Sequence, residues 1–467
     1  MTLLPLNAGD VAAGGGGRVV AGDRATPIGR ISIDSRTVAA GDFFVAIRGE
    51  RFDGHRFVAG ALAAGAIGAL VDDPAAAGDL AGTAVVVQAA DTTRALQALA
   101  RHVRRQSGAQ VVAITGSAGK TTTKEVCAEL LSARYSVFRN TGNLNNHIGL
   151  PLSLLELRAK PDVAVVELGM NHPGEISTLV AIAEPEVRVW TNVGDAHIGF
   201  FASAEAIADA KAEILDGASA GTVLVANADD ARVMARARRF AGRVMTFGTA
   251  DGADVQASEV EMRGLDGLRA QVRTPAGAFR LETPLAGLGN LSNVLAATAV
   301  AVHFDVPLDA IATRASRLRP AHHRGELLRL PGGITLIDDA YNSSPAALKR
   351  SLEIVAAASG SARKVAVLGE MLELGAHAAV LHRECGRAAH AAGLDLLVAV
   401  GGEPAQALAA EAIESGLPPH CVAVVPDRAA ATEEVLQRVR PGDLVLVKGS
   451  RGIGLDAVVD RLKAEFA

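Results

Sequence analysis

Six residues, Gly116-Ser-Ala-Gly-Lys-Thr121, bring together the chemistry needed to hold a polyphosphate. Glycines let backbone N–H groups close around phosphate oxygens, a lysine reaches the outer phosphates, and a threonine hydroxyl can hold Mg²⁺. The run follows the apolar segment Gln110-Val-Val-Ala-Ile-Thr115 and leads into a helical pattern in which Val126, Leu130 and Leu131 recur. Strand, loop and helix in that order are the context a nucleoside triphosphate site requires. Ile114 stands where the longer Walker pattern places its first glycine, so this loop is a shorter variant. The plainer reading is a glycine-rich strand-to-helix turn with Lys120 solvated, and the flanking strand and helix weigh against it. Gly116, Ser117, Ala118, Gly119, Lys120, Thr121 and Thr122 are the expected ATP-binding residues of this segment.

Other polar residues fall at the ends of strand-like runs, where ligands of parallel sheets gather. Val163-Ala-Val-Val-Glu167 ends in a carboxylate that can ligate Mg²⁺ together with Thr121. Without the loop, such an acid is commonly just a turn former. Trp190-Thr-Asn-Val-Gly-Asp-Ala-His197 brings a histidine to the same sheet edge, and Lys211 follows in a helical stretch. Taken singly, a loop histidine is usually a surface hydrogen-bonding group and a helix lysine a solvated one. The amide-rich run Asn140 to Gly149, with Asn143, Asn145 and Asn146, offers donors and acceptors suited to a peptide-like ligand, or alternatively makes turns. Asp338-Asp-Ala-Tyr-Asn-Ser-Ser-Pro345, again at a strand end, supplies a carboxylate for a ribose or an amine.

These residues need elements to position them, and the pattern predicts an α/β chain. At 467 residues it exceeds one hydrophobic core and suggests three domains. With 49% apolar but only 3% aromatic residues, packing must rest on Ala, Val and Leu, the filling of parallel sheets flanked by helices. Residues 1–108 read as a small α/β domain and 109–318 as a central parallel-sheet domain carrying the phosphate loop. Within the latter, Ala253 to Leu281 reads as an antiparallel excursion. Residues 319–467 repeat the strand–helix alternation as a Rossmann-like domain.

A net charge of -5 gives no footprint for nucleic acid or an anionic membrane. Arginines cluster at 101–105 and 232–239, where a solvated helix face is the expected role. Cys127, Cys385 and Cys421 are odd in number and lack a Cys-x-x-Cys pair, which fits a reducing compartment. The start lacks the basic and apolar regions of a secretory signal. The longest apolar run, Val58 to Val71, is shorter than the roughly 20 residues of a membrane span. A cytoplasmic, soluble monomer is expected.

Together these segments resemble the Mur ligases of peptidoglycan synthesis, over nearly the whole chain. The resemblance rests on Ile31 to Arg36, Gly41 to Gly49 and Phe52 to His55 in the first domain, and on Thr115 to Thr123 and Asn143 to Asn146 in the second. Its most specific parts are Asp338 to Asn342, Leu368-Gly-Glu-Met-Leu-Glu-Leu-Gly375 and Val447-Lys-Gly-Ser-Arg451. It implies a UDP-sugar domain, an ATPase domain and a third domain that closes over the nucleotide. It also implies an amide made in two steps. The carboxylate of a UDP-N-acetylmuramoyl-tripeptide would attack the γ-phosphate of ATP to give an acyl phosphate, and the amine of D-Ala-D-Ala would displace phosphate.

By the same resemblance two Mg²⁺ ions are cofactors, with Thr121 and Glu167 on one and His197 on the other. Lys120, His197 and Lys211 would be catalytic, with Lys211 carbamylated by CO₂ and so turned into a carboxylate-like group near the second ion. Asn290 and Asn293 match residues near the adenine, and Arg324 and Asp339 match residues that meet phosphates and ribose. Gly289 departs from the pattern, since relatives often carry histidine there. Asp34, Ser35 and Arg36 would touch the uridine diphosphate, and Asn143, Asn145, Asn146, Tyr341 and Asn342 the peptide substrates. The Asp-Asn-Pro-Arg segment of the relative that adds a diamino acid is missing. Folylpolyglutamate synthetase shares the loop but not the Leu368 to Gly375 segment. Outside the class, a regulatory P-loop NTPase would release phosphate without an acyl acceptor, and a degenerate binder would hold the UDP-sugar without turnover.

Overall fold

The computed structural model describes residues 3–49, 52–82 and 84–466, and their contacts divide into two units. The first runs to Ala113 and adds Tyr135–Arg188 and Glu213–Thr222; the second holds Ile114–Arg134, Val189–Ala212 and everything from Val223 onward.

Short β-branched and aromatic runs in the first unit form β1 (Arg18–Ala21), β2 (Ile31–Ser32), β3 (Phe43–Val45), β4 (Gly68–Val71) and β5 (Val85–Gln88). They lie in the order β1-β5-β4-β3-β2, parallel except for β1. The long apolar run that begins at Val58 is two elements, the helix Val58–Ala63 and β4, because Gly65 at φ 107° turns the chain between them. Phe44, Val58, Val71 and Val86 pack together in the core beside this sheet. β6 (Gln110–Thr115), β7 (Val137–Arg139) and β8 (Val163–Glu167) follow, in the order β6-β8-β7.

The helix Thr92–Ser107 shows how local signals set an element. Asp91 caps it by accepting from the Arg94 N–H at 2.9 Å, and Gly108 at φ 71° ends it. Leu96, Leu99 and Val103 are buried on one face, whereas Arg101 and Arg105 each reach Glu184 at 2.5 Å. The basic stretch thus pairs with an acid of its own unit. The Arg105 guanidinium foremost, with Arg101, holds the Glu184 carboxyl at about 2 against burial that pushes it up. A value depressed in the folded state contributes stability above the ordinary 4.5, and that contribution is lost as pH falls toward 2. Glu184→Gln should therefore flatten the acid limb of the stability curve by about 1 kcal/mol. Denaturant melts at stepped pH check this, and an unchanged limb would contradict it.

β9 (Val187–Trp190), which enters the second unit at Val189, and β10 (Val223–Asn227), β11 (Arg243–Gly248), β12 (Val255–Met262), β13 (Leu268–Thr274) and β14 (Gly277–Thr283) are neighbours in chain order. β10 to β12 are parallel and β12 to β14 antiparallel, so the expected excursion is present. β9 ends at Trp190, and the backbone from Thr191 onward turns to hold the phosphate loop.

The last third builds β15 (Glu326–Arg329), β16 (Thr335–Asp339), β17 (Arg363–Gly369), β18 (Leu396–Val400), β19 (Val422–Val425) and β20 (Asp443–Lys448). Their order is β15-β16-β20-β17-β18-β19, parallel except for β15. Val365, Val367, Val398, Val445 and Val447 are fully buried in the core of this sheet. That layout leaves the carboxyl ends of β16, β20 and β17 side by side, the edge at which ligands of such sheets bind. Among the described residues no helix is long and apolar enough to cross a membrane.

Candidate active site

The phosphate loop leaves β6 and enters the helix Lys120–Leu131, whose N-cap is Gly119 with no side-chain cap. An uncapped helix start aims its N–H groups and partial positive charge at whatever anion lies there. Gly116 at φ 151° and Gly119 at φ 84° adopt backbone conformations that side chains disfavour. A Cβ at Gly116 would run into Thr191 Oγ1, and one at Gly119 into Asn293 Oδ1. The loop is closely braced. Ser117 N donates to Asn192 O at 3.0 Å and Ala118 N to Asn192 Oδ1 at 2.9 Å, while Thr191 Oγ1 and Asn192 Nδ2 donate to Ala118 O at 2.8 and 3.0 Å. The N–H groups of Ser117 and Ala118 therefore face Asn192, and those of Gly119 onward form the helix start. Thr191 and Asn192 were missed as functional residues; their signal was the polar pair directly after a buried strand.

Asn293 Oδ1 also accepts from Thr123 Oγ1 at 3.2 Å, and Asn290 Nδ2 donates to Ala286 O at 2.8 Å. Asn293 thus touches the loop itself. Gly119→Ala adds both a left-handed-region cost and the Asn293 clash, about 1–3 kcal/mol of lost stability. A thermal melt checks this, and an unshifted midpoint would contradict the bracing.

Lys120 Nζ donates to Gly116 O at 2.8 Å, so the lysine side chain folds back over its own loop. Lys211, in the helix Ala204–Ala212, is buried and makes no hydrogen bond or ion pair among the described residues. Burial pushes its ammonium well below the ordinary lysine value, and the nearby Lys120 charge pushes the same way. A lysine kept neutral is nucleophilic toward CO₂, which fits the carbamylation expected of it.

His197, at φ 66°, starts a short turn, Ile198–Phe200, that meets the Leu368 to Gly375 segment. Its Nδ1 stands 2.6 Å from Glu373 Oε2, close enough for an ion pair though not aligned as a hydrogen bond. Gly199 N donates to Glu373 O at 2.9 Å. His197 holds the Glu373 carboxyl below its ordinary value against burial. The segment is itself fixed from behind. The buried His382 accepts from Met371 N at 2.9 Å, and Ser450 Oγ accepts from Leu372 N at 2.9 Å. Glu373 was not singled out from the sequence, although it lies within a segment that was.

Glu167 ends β8 in the first unit and is only 4% exposed. Asn145 Nδ2 donates to its Oε1 at 2.9 Å, and Asn140 Oδ1 accepts from its backbone N–H at 3.2 Å. Of the amide-rich run, then, Asn145 orients the acid. Asn146 caps the next helix by accepting from Gly149 N at 2.8 Å, and the Asn143 side chain is exposed. A buried carboxylate oriented by amides is a hard oxygen donor, the chemistry Mg²⁺ prefers.

At the β16–β20 edge, Lys448 Nζ donates to Asp339 Oδ2 at 2.7 Å and to Asn342 O at 3.1 Å, and Ser351 Oγ donates to Asp339 Oδ2 at 2.7 Å. Tyr341 carries two guanidiniums over its ring, Arg324 at 4.1 Å and Arg451 at 4.9 Å from the centroid. In the first unit, Arg36 clasps Asp34 with Nε and Nη2 at 2.8 and 2.7 Å and draws its carboxyl down to about 2. Ser35 lies between them.

A cavity of about 390 Å³ adjoins the loop, lined by Ser117, Asn192, Asp230, Leu288, Leu295 and Arg350 among others. Its size suits a small-molecule ligand, for which about 300 Å³ is the usual lower bound. A Cβ at Gly289 would lie 3.0 Å from Arg350 Cδ, so the glycine leaves room for that arginine at the cavity wall.

Three family models match the chain: Mur ligase family, catalytic domain at residues 27–118, Mur ligase middle domain at 114–301, and Mur ligase, glutamate ligase domain at 323–451. The UDP-N-acetylmuramoyl-tripeptide–D-alanyl-D-alanine ligase of Synechocystis is 38% identical over 94% of this chain and 92% of its own. The protein of that name from Bacillus subtilis is 33% identical over 94% and 93%. A crystal structure of MurF from Acinetobacter baumannii superposes with a TM-score of 0.88 at 32% identity, covering 99% and 100% of the two chains. MurF ligase from Thermotoga maritima, solved in complex with ADP, gives 0.80 at 30% identity over 94% and 97%. The three-domain α/β fold is shared with these structures, and the chain belongs to the Mur ligase family.

Proposed function

We propose that this chain is an ATP-dependent amide ligase that adds D-alanyl-D-alanine to UDP-N-acetylmuramoyl-tripeptide, a step of cytoplasmic peptidoglycan precursor synthesis. The observation that carries the reading is the braced phosphate loop with Lys120 and a buried Lys211 nearby that has no ion-pair partner among the described residues, in a chain whose relatives bear that enzyme's name. A carboxylate attacking a polyanion needs its charge neutralised and its approach fixed, and it needs no protein nucleophile. Lys120 and the helix start supply positive charge at the γ-phosphate. The carboxylate oxygen bonds to the γ-phosphorus as ADP leaves. The dipeptide amine then attacks the acyl carbon, loses a proton, and expels phosphate.

Thr121 and Glu167 would hold one Mg²⁺, and His197 with carbamylated Lys211 the other; bound there, the ions neutralise phosphate charge. Glu373 sets the His197 ring and Asn145 sets Glu167. The cavity beside Asn192 and Leu288 would take the adenosine, bordered by Asn290, with Asn293 bracing the loop beneath. Asp339 would meet the ribose and Arg324 the phosphates, while Asn143, Tyr341 and Asn342 would contact the peptide substrates. Residues 1–108, with Asp34, Ser35 and Arg36, would bind the UDP-sugar; 109–318 would bind ATP and 319–467 would close over it, in a monomer.

The test is phosphate release from ATP with each substrate alone and with both, followed by product mass. The reading predicts release that needs tripeptide and dipeptide together and a product heavier by the dipeptide less water. Release that ignores the dipeptide would overturn it in favour of a nucleotide-hydrolysing switch.

A further inference from the structure

A second cluster of ligating groups lies on the segment before β15 and on β15 and β16 themselves. His322 and His323 stack side by side with ring centroids 3.6 Å apart. His323 Nδ1 is 2.7 Å from Asp338 Oδ2, and His322 Nδ1 is 3.1 Å from Glu326 Oε2. Glu326 and Asp338 are direct cross-strand partners in the antiparallel β15–β16 pair. Two like charges in that relation are destabilising unless a cation lies with them. The arrangement is anchored by backbone: Tyr341 N donates to His323 O at 3.1 Å and Gly325 N to Asp338 O at 2.9 Å. His323 also holds a left-handed conformation at φ 57° that a glycine would adopt more readily, so the imidazole occupies a position where a side chain carries a cost.

We propose that His322, His323 and Asp338, with Glu326 as a fourth donor, form a site for a first-row transition-metal dication such as Zn²⁺. One ligand atom from each of His322, His323 and Asp338 lies within 4.8 Å of the others. A shared ion at about 2.0–2.2 Å from each donor needs them somewhat closer. The side chain able to close that gap is His322, which is 69% exposed, while Asp338 is fully buried and His323 is 16% exposed. Imidazole nitrogens paired with carboxylates select Zn²⁺-like ions, whereas Mg²⁺ prefers an all-oxygen shell. Arg324 follows His323 directly, so an ion here restrains the backbone that presents Arg324 to the Tyr341 ring.

The test uses the full chain without a histidine tag, in buffer saturated with Mg²⁺. Co²⁺ is titrated in while visible absorption is recorded, and Zn²⁺ is then added in competition. The expected result is one equivalent of Co²⁺ with the strong bands of a four-coordinate ion, displaced by Zn²⁺. His322→Ala, at an exposed position, and His323→Gly, which suits the left-handed backbone, should each weaken binding by more than about tenfold. No stoichiometric Co²⁺ binding, or either variant binding as tightly as the parent chain, would overturn the site.

Discussion

Phosphate release from ATP by the Lys120→Ala variant is expected to fall by at least about 10³-fold, read in a coupled assay with both co-substrates saturating. Lys211 is driven toward neutrality by burial, which leaves Lys120 as the charged member of this pair of lysines. Its ammonium already sits at the loop, 2.8 Å from Gly116 O. Loss of that charge removes a stabiliser of the transferring group, whose negative charge spreads over its oxygens in the transition state. The fold should survive, because Thr191, Asn192 and Asn293 still hold the loop and the helix start when the Lys120 bond to Gly116 O is lost. Turnover near the parent rate in a folded Lys120→Ala variant would remove the loop from the chemistry.

The second large effect belongs to Lys211. Lys211→Ala should lower turnover by about 10²–10³-fold, and acetate or propionate should restore part of it. A neutral amine attacks CO₂ and loses a proton, giving a carbamate with the charge and shape of a carboxylate. Burial favours the neutral amine from which that reaction starts. A short carboxylic acid can occupy the space the truncated side chain leaves. The parent enzyme incubated with ¹³C-labelled CO₂ should show a carbamate carbon signal that Lys211→Ala lacks. Absence of that signal together with absence of rescue would contradict the role.

What could be seen in the residues and what could not divides along physical lines. The loop was legible because a phosphate site is local: Gly116 to Thr121 needs only a strand before it and a helix after it, and β6 and the helix Lys120–Leu131 are there. The antiparallel excursion was legible because β12 to β14 are joined by short turns. β1, β7, β11 and β15 were not anticipated, being short or half-exposed, and β4 was not because its buried residues merge into the Ala- and Gly-rich apolar run that begins at Val58. Residues that act on other residues were the hardest to see. Asn192 brackets a loop 74 positions away, and Lys448 pairs with Asp339 across 109. Glu373 meets His197 from a segment that His382 and Ser450 hold from behind. Such contacts carry no periodicity and no local motif. The amide-rich run shows both sides of this limit: Asn146 is a helix cap, as turn chemistry allows, whereas Asn145 holds Glu167.

The central claim is that ATP at the Lys120 loop activates the tripeptide's own carboxylate. Tripeptide labelled with ¹⁸O in that carboxylate tests it directly, through mass analysis of the phosphate released during ligation. If the carboxylate oxygen attacks the γ-phosphorus, one labelled oxygen leaves with each phosphate and the new amide keeps the other. Unlabelled phosphate, formed while the dipeptide is nonetheless joined, would mean that water and not the substrate acid takes the phosphoryl group, and the account would fail.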